Sequence, residues 1–124
     1  VYKRQIMNSI ALNQENETEI LSQVIDALRN DGVVAAPTDT VYGLIAGAGN
    51  IEAIKKIFII KTRPADNPLP VFVNSFEMLD KVAYVDDERI RLFLSKVWPG
   101  KVTCVLPARG WMPFELRSKD GLTI

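Results

Sequence analysis

The chain predicts an α/β fold, a sheet covered by helices. Three observations carry this. Amphipathic stretches with a 3.6-residue period alternate with short apolar runs of strand length. Proline and glycine punctuate the chain, mostly between these segments, at Gly32, Pro37, Pro64, Pro68 and Pro99-Gly100, although Gly43 falls inside one extended piece. The composition, 48% hydrophobic and 24% charged over 124 residues, is that of an ordinary globular domain with a core of its own. The expected organisation is one domain over residues 1–124.

In chain order, Ile20, Leu21, Val24, Ile25 and Leu28 recur on one helical face. They predict a helix over 18–31, with Thr18 as its cap and Gly32 as its stop. Val33 to Ala36, halted by Pro37, reads as a buried strand. A polar loop, Thr38-Asp39-Thr40, follows, and Val41 to Ala46 is a second extended piece. Asn50 is a candidate cap for a helix over 51–61, whose inner face would be Ile51, Ile54, Ile57 and Phe58. Pro64 and Pro68 exclude regular helix from 62–68. Leu69 to Val73 reads as a strand, and Asn74-Ser75 opens a short helix over 76–82. Asp86 or Asp87 caps a helix ending at Val97, ahead of Pro99-Gly100. Lys101 to Leu106 alternates as a strand, and Leu122 to Ile124 begins another. That apolar ending, and a first residue that is not Met, lead to the expectation of a longer parent protein.

Charge and rare residues exclude several function classes. Fifteen basic and fifteen acidic residues give a net charge of zero, so there is no global field for nucleic acid. Lys55, Lys56, Lys61 and Arg63 nevertheless form a local run without acids. No histidine is present, which removes Ser-His and Cys-His catalysis within the chain and the commonest zinc ligand. The single cysteine, Cys104, cannot form an internal bridge, and a reducing, cytoplasmic compartment is expected. No apolar run approaches the roughly 18 residues of a membrane span.

Three segments could carry chemistry. Pro37 to Leu44, PTDTVYGL, places two hydroxyls, a carboxylate and Tyr42 after a strand, where ligands of open sheets bind. Its plainer reading is a turn using Thr and Asp locally. Lys61-Thr62-Arg63-Pro64, with Asn67 beyond, offers a point charge, a guanidinium fork and an amide to an anionic ligand. Its plainer reading is a helix end whose cations complement the dipole. Trp98-Pro99-Gly100-Lys101-Val102-Thr103 is a turn into a strand, with Thr103 placed to face a ligand and Trp98 to pack. No Gly-rich phosphate loop of the P-loop or dinucleotide type is present, so any ATP site is of another kind.

In this order and spacing, PTDTVYGL, KTRPADNPL and WPGKVT resemble the YrdC-like domain family of threonylcarbamoyl-AMP synthases, from about Asp31 onward. The resemblance implies a YrdC-like twisted mixed sheet flanked by helices. It also implies a nucleotidyltransferase that condenses L-threonine, bicarbonate and ATP, with Mg²⁺, into threonylcarbamoyl-AMP and pyrophosphate for tRNA modification. By the same likeness Thr38, Thr40 and Tyr42 contact threonine, and Lys61, Arg63, Asn67 and Thr103 contact ATP. Lys61 and Arg63 are then the catalytic pair; no metal ligand is expected from the protein. The expected partners are a tRNA threonylcarbamoyl-transfer complex and tRNA or double-stranded RNA, not a membrane. Two departures stand out: Phe72 occupies a position where the family often has histidine, and the later Ser-x-Asn element is absent. The alternatives are a non-catalytic YrdC-like module binding nucleotide or double-stranded RNA and, ranked last, the related domain of the hydrogenase-maturation carbamoyltransferase.

Overall fold

The structure is a computed structural model and describes residues 8–64 and 66–124. Helix α1 spans Glu17–Arg29, with Glu17 and Glu19 in its first turn and Arg29 in its last, each of the sign that suits the helix dipole. Its start lies one residue before the expected one, and Asn16, not Thr18, holds the cap position. The chain leaves α1 through Asp31, in the left-handed region at φ 57°. Gly32 does not supply that turn. It is needed because a Cβ there would meet the Ala27 carbonyl oxygen at 2.4 Å, while its N–H donates to that oxygen at 2.8 Å. Ile20, Val24 and Leu28 are half-buried, but Leu21 and Ile25, expected on the inner face, are exposed.

Strand β1, Val34–Pro37, and strand β2, Tyr42–Ile45, form an antiparallel hairpin with Val34 opposite Ile45 and Pro37 opposite Tyr42. The polar loop is thus the tip of a hairpin, closed by the Thr38 N–H on the Val41 carbonyl at 3.2 Å. Helix α2, Ile51–Lys61, has the predicted bounds. The Asn50 side chain accepts from the Ala53 N–H at 3.1 Å and donates to Asp31 at 2.5 Å, so one residue caps α2 and fastens the turn after α1. Ala53, Ile54 and Ile57 of α2 are buried, and Thr62 ends it at φ 48°.

Helices α3, Phe76–Val82, and α4, Glu88–Val97, also fall where expected, capped by Ser75 and Asp87. Arg91 of α4 pairs with Asp80 of α3 at 2.5 Å and lies 5.7 Å over the Phe76 ring. Arg109 stacks on Tyr84 at 3.9 Å and donates to the Asp80 carbonyl, tying α3 to the chain beyond the next strand.

Strands β3, Val105–Leu106, β4, Arg117–Ser118, and β5, Gly121–Thr123, form a sheet in the order β3-β5-β4. All ladders among the described residues are antiparallel. The α/β class stands, but the pairings seen come from hairpins and close returns, which need no crossover helix. Gly121, at φ 134°, passes so near β3 that a Cβ would meet the Leu106 carbonyl oxygen at 2.4 Å.

Two predicted strands are shorter than their apolar runs. In 69–73 only the Val71 N–H joins the sheet, on Thr123 at 2.8 Å; Pro68 and Pro70 have no N–H to add. In 101–106 the ladder covers Val105 and Leu106. Cys104 extends it by exchanging two 2.8 Å bonds with Ile124. The core gathers on β5: Ile54, Leu79, Leu94, Met112 and Leu122 are its most enclosed large side chains, and the hairpin adds Leu44 and Ala46 from the side.

Candidate active site

The hairpin tip, the extended segment 70–76 and the Trp98–Thr103 turn enclose a cleft of about 770 Å³, floored by Ile45 and Ile124. That volume suits a small-molecule ligand, for which roughly 300–1,000 Å³ is usual. Its lining includes the aromatic side chains of Phe72, Phe76 and Trp98, the hydroxyl residues Thr38, Thr40, Ser75 and Thr103, and Asn74. Among the described residues, its charged lining side chains are Asp39 and Lys101.

Thr38 builds the hairpin tip. Its hydroxyl donates to the Val41 carbonyl at 2.6 Å and accepts from the Thr40 and Val41 N–H groups at 3.2 and 3.3 Å. The Thr38 oxygen is therefore spent on the loop. Thr40 is exposed and lines the cleft, its hydroxyl 3.3 Å from that oxygen. At the opposite side the Trp98 indole N–H donates to the Val102 carbonyl at 2.6 Å, closing the turn that presents Lys101 and Thr103.

The structure brings Thr38, Thr40 and Thr103 together around this cleft and leaves the other candidates outside it. Tyr42 pairs with Pro37 and is 76% exposed, away from the lining. Lys61 is exposed in the last turn of α2. Arg63 and Asn67 do meet, but each other: the Arg63 Nε donates to the Asn67 carbonyl at 2.7 Å. Its terminal nitrogen donates to Asn67 Oδ1 at 2.7 Å and to the Pro68 carbonyl at 3.0 Å. The guanidinium fork thus clamps the proline-flanked loop. Of the basic run, Lys55 pairs with Glu52 at 3.3 Å and Lys56 donates to the Asp31 carbonyl at 2.7 Å.

Sequence reasoning did not single out Asn74, Ser75 or Lys101 as ligand-facing. Asn74-Ser75 carried a signal: polar residues directly after an apolar run, as in Thr38–Thr40, with a second use of Ser75 as helix cap at 3.1 Å from the Met78 N–H.

The Sua5–YciO–YrdC family model, described as telomere recombination, matches residues 26–122. The chain belongs to this family. It is 40% identical over 89 residues to the threonylcarbamoyl-AMP synthase of Bacillus subtilis, a match covering 72% of this chain and 26% of that protein. It is 44% identical over 86 residues to the synthase of Pyrococcus abyssi, covering 69% and 25%. The chain thus spans about a quarter of the length of these two relatives. The crystal structure of P. abyssi Sua5 complexed with L-threonine superposes with a TM-score of 0.81 at 37% identity, over 86% of this chain and 32% of that one. The matched span covers all three segments, two of which border the cleft directly. Among the described residues, no helix is long and apolar enough to cross a membrane.

Proposed function

We propose that the cleft binds the substrates of threonylcarbamoyl-AMP synthesis. The observation that carries this is the convergence of Thr38, Thr40 and Thr103 on one cleft with aromatic side chains in its lining, in a chain similar to a Sua5 solved with L-threonine. The amino acid lies at the hairpin tip, held by the Thr40 hydroxyl; the aromatic side chains take the adenine, and the Thr103 side takes the phosphates. The threonine amine attacks the bicarbonate carbon, and a C–O bond breaks with loss of water to give a carbamate. A carbamate oxygen then attacks the α-phosphorus of ATP, and the bond to the β-phosphate breaks to release pyrophosphate. Such a step needs positioning and charge neutralisation more than a protein nucleophile, consistent with a chain that has no histidine.

Mg²⁺ enters this scheme as the counter-ion of ATP. Among the described residues no group of three or more metal-ligating side chains occurs and Asp39 is the one carboxylate side chain in the cleft's lining, which does not fit a protein-built metal cage. Lys61, Arg63 and Asn67 act on the nucleotide from the α2 side, and the product passes to a tRNA threonylcarbamoyl-transfer complex in the cytoplasm.

The test is pyrophosphate release from ATP with and without L-threonine and bicarbonate. Release that needs both is the expected result. ATP or double-stranded RNA binding without release, in this chain and in the full-length product of its gene, would replace the enzyme with a binding module. Lys61→Ala should abolish release; retention of full activity would remove Lys61 from the site.

A further inference from the structure

We propose that Lys101 anchors the phosphates of the nucleotide in the cleft, an inference that rests on reading the cleft as an ATP and amino-acid site. Every substrate in that reading carries negative charge, and among the described residues the cleft's lining holds one cation, Lys101. Lys61 and Arg63, which act on the nucleotide from the α2 side, lie outside this lining, and without ligand Arg63 holds the Asn67 and Pro68 oxygens, so Lys101 is an additional contact from within the cleft. Lys101 is exposed and takes part in none of the four ion pairs found among the described residues. Its ammonium is thus free to meet an incoming anion without breaking an internal contact.

Placement selects phosphate over the amino-acid carboxylate. Lys101 and Thr103 lie two residues apart on one segment that lines the cleft, so they approach a ligand from the same segment. The hairpin hydroxyls belong to a different strand pair. The turn that carries Lys101 is closed by the Trp98 indole on the Val102 carbonyl, which fixes the root of a flexible side chain. One unpaired ammonium opposite a polyphosphate forms a charge-assisted contact, weakened by solvent but not abolished.

The experiment is calorimetric titration of the chain, and of Lys101→Met and Lys101→Arg, with ATP, inorganic tripolyphosphate and L-threonine at low and high salt. Lys101→Met should weaken ATP and tripolyphosphate by roughly five- to tenfold and flatten their salt dependence. Lys101→Arg should return both to near wild type. L-threonine binding and the thermal melt should stay unchanged in all variants, a pattern that a purely structural role would not give. If ATP and tripolyphosphate bind Lys101→Met as well as wild type, the inference fails while the nucleotide reading stands. If tripolyphosphate binding depends on Lys101 but ATP gains nothing from its nucleoside, the anchor stands and the nucleotide reading fails. Weakened threonine with unchanged ATP would also overturn it, moving Lys101 to the carboxylate.

Discussion

Leu122→Ala tests the idea that β5 holds both cleft walls. Leu122 is fully enclosed at 0% exposure and pairs with Leu106 on one side and Arg117 on the other. Its neighbours Thr123 and Ile124 bond Val71 and Cys104, the roots of segments 70–76 and 98–103. Truncation removes three buried carbons, about 2.4 kcal/mol of transfer free energy at roughly 0.8 kcal/mol each. The void left where four-sided packing resists collapse adds about 1 kcal/mol at roughly 24 cal/mol per Å³. The expected loss is about 3–4 kcal/mol, a large part of the 5–15 kcal/mol typical of a domain. It should appear in urea unfolding as a lower midpoint with unchanged slope, and in a melt as a fall of roughly 10 °C or more. Ile59→Ala, on a side chain 77% exposed, is the control and should stay within about 0.5 kcal/mol. A Leu122→Ala loss below about 1 kcal/mol would refute the central role of β5.

Other outcomes follow from local contacts. Asn50→Ala removes both the α2 cap and the bond to Asp31, and chemical denaturation should report a loss of about 1–2 kcal/mol. Asn50→Asp keeps the cap acceptor but sets a carboxylate against Asp31, so its deficit at neutral pH should shrink as the pH is lowered through the carboxylate range. The Arg89 guanidinium, with the Arg89 N–H, holds the Asp87 carboxyl below its ordinary value of 3.8. A depressed folded value means stabilisation present above the unfolded value and lost as pH falls through the folded one. Melts of Asp87→Asn should therefore lack part of the wild-type decline below about pH 4. Thr38→Ser should preserve the hairpin tip and threonine affinity, whereas Thr38→Ala should weaken calorimetric threonine binding by roughly tenfold, since the hydroxyl that shapes the tip is gone.

Element positions were legible where local rules agree with packing. α2, α3 and α4 have an Asx or Ser cap, a helical apolar period and a terminating turn in one reading frame, and their bounds follow from those signals. The strands were less legible because an apolar run reports burial, not pairing. Val71 is buried yet only its N–H reaches the sheet, since the prolines beside it cannot donate. Residues 101–103 continue the alternation that reads as a strand but border a cleft instead. The site was half legible. Hydroxyls next to turns pointed to Thr38, Thr40 and Thr103. A basic motif, by contrast, does not show whether its guanidinium will meet a ligand or its own loop, and Arg63 meets Asn67 and Pro68.

The two sides of the cleft come from separate strand systems. Thr38 and Thr40 ride on the β1–β2 hairpin, while Lys101 and Thr103 hang on the β3-β5-β4 sheet through Cys104 and Ile124. The hairpin meets the core through half-buried residues such as Leu44 and Ala46, without backbone bonding to the larger sheet in the ladders found. A ligand touching both sides therefore adds a bridge that the free chain lacks. The first ligand to bind bears the ordering cost of bringing hairpin and sheet into one geometry, and the second meets a cleft already set. Amino acid and nucleotide should accordingly raise each other's affinity by the same factor, as linkage requires. With no histidine base in the chain and one cation among the described lining residues, holding the reacting groups in register is the largest contribution these residues can make to the proposed reaction.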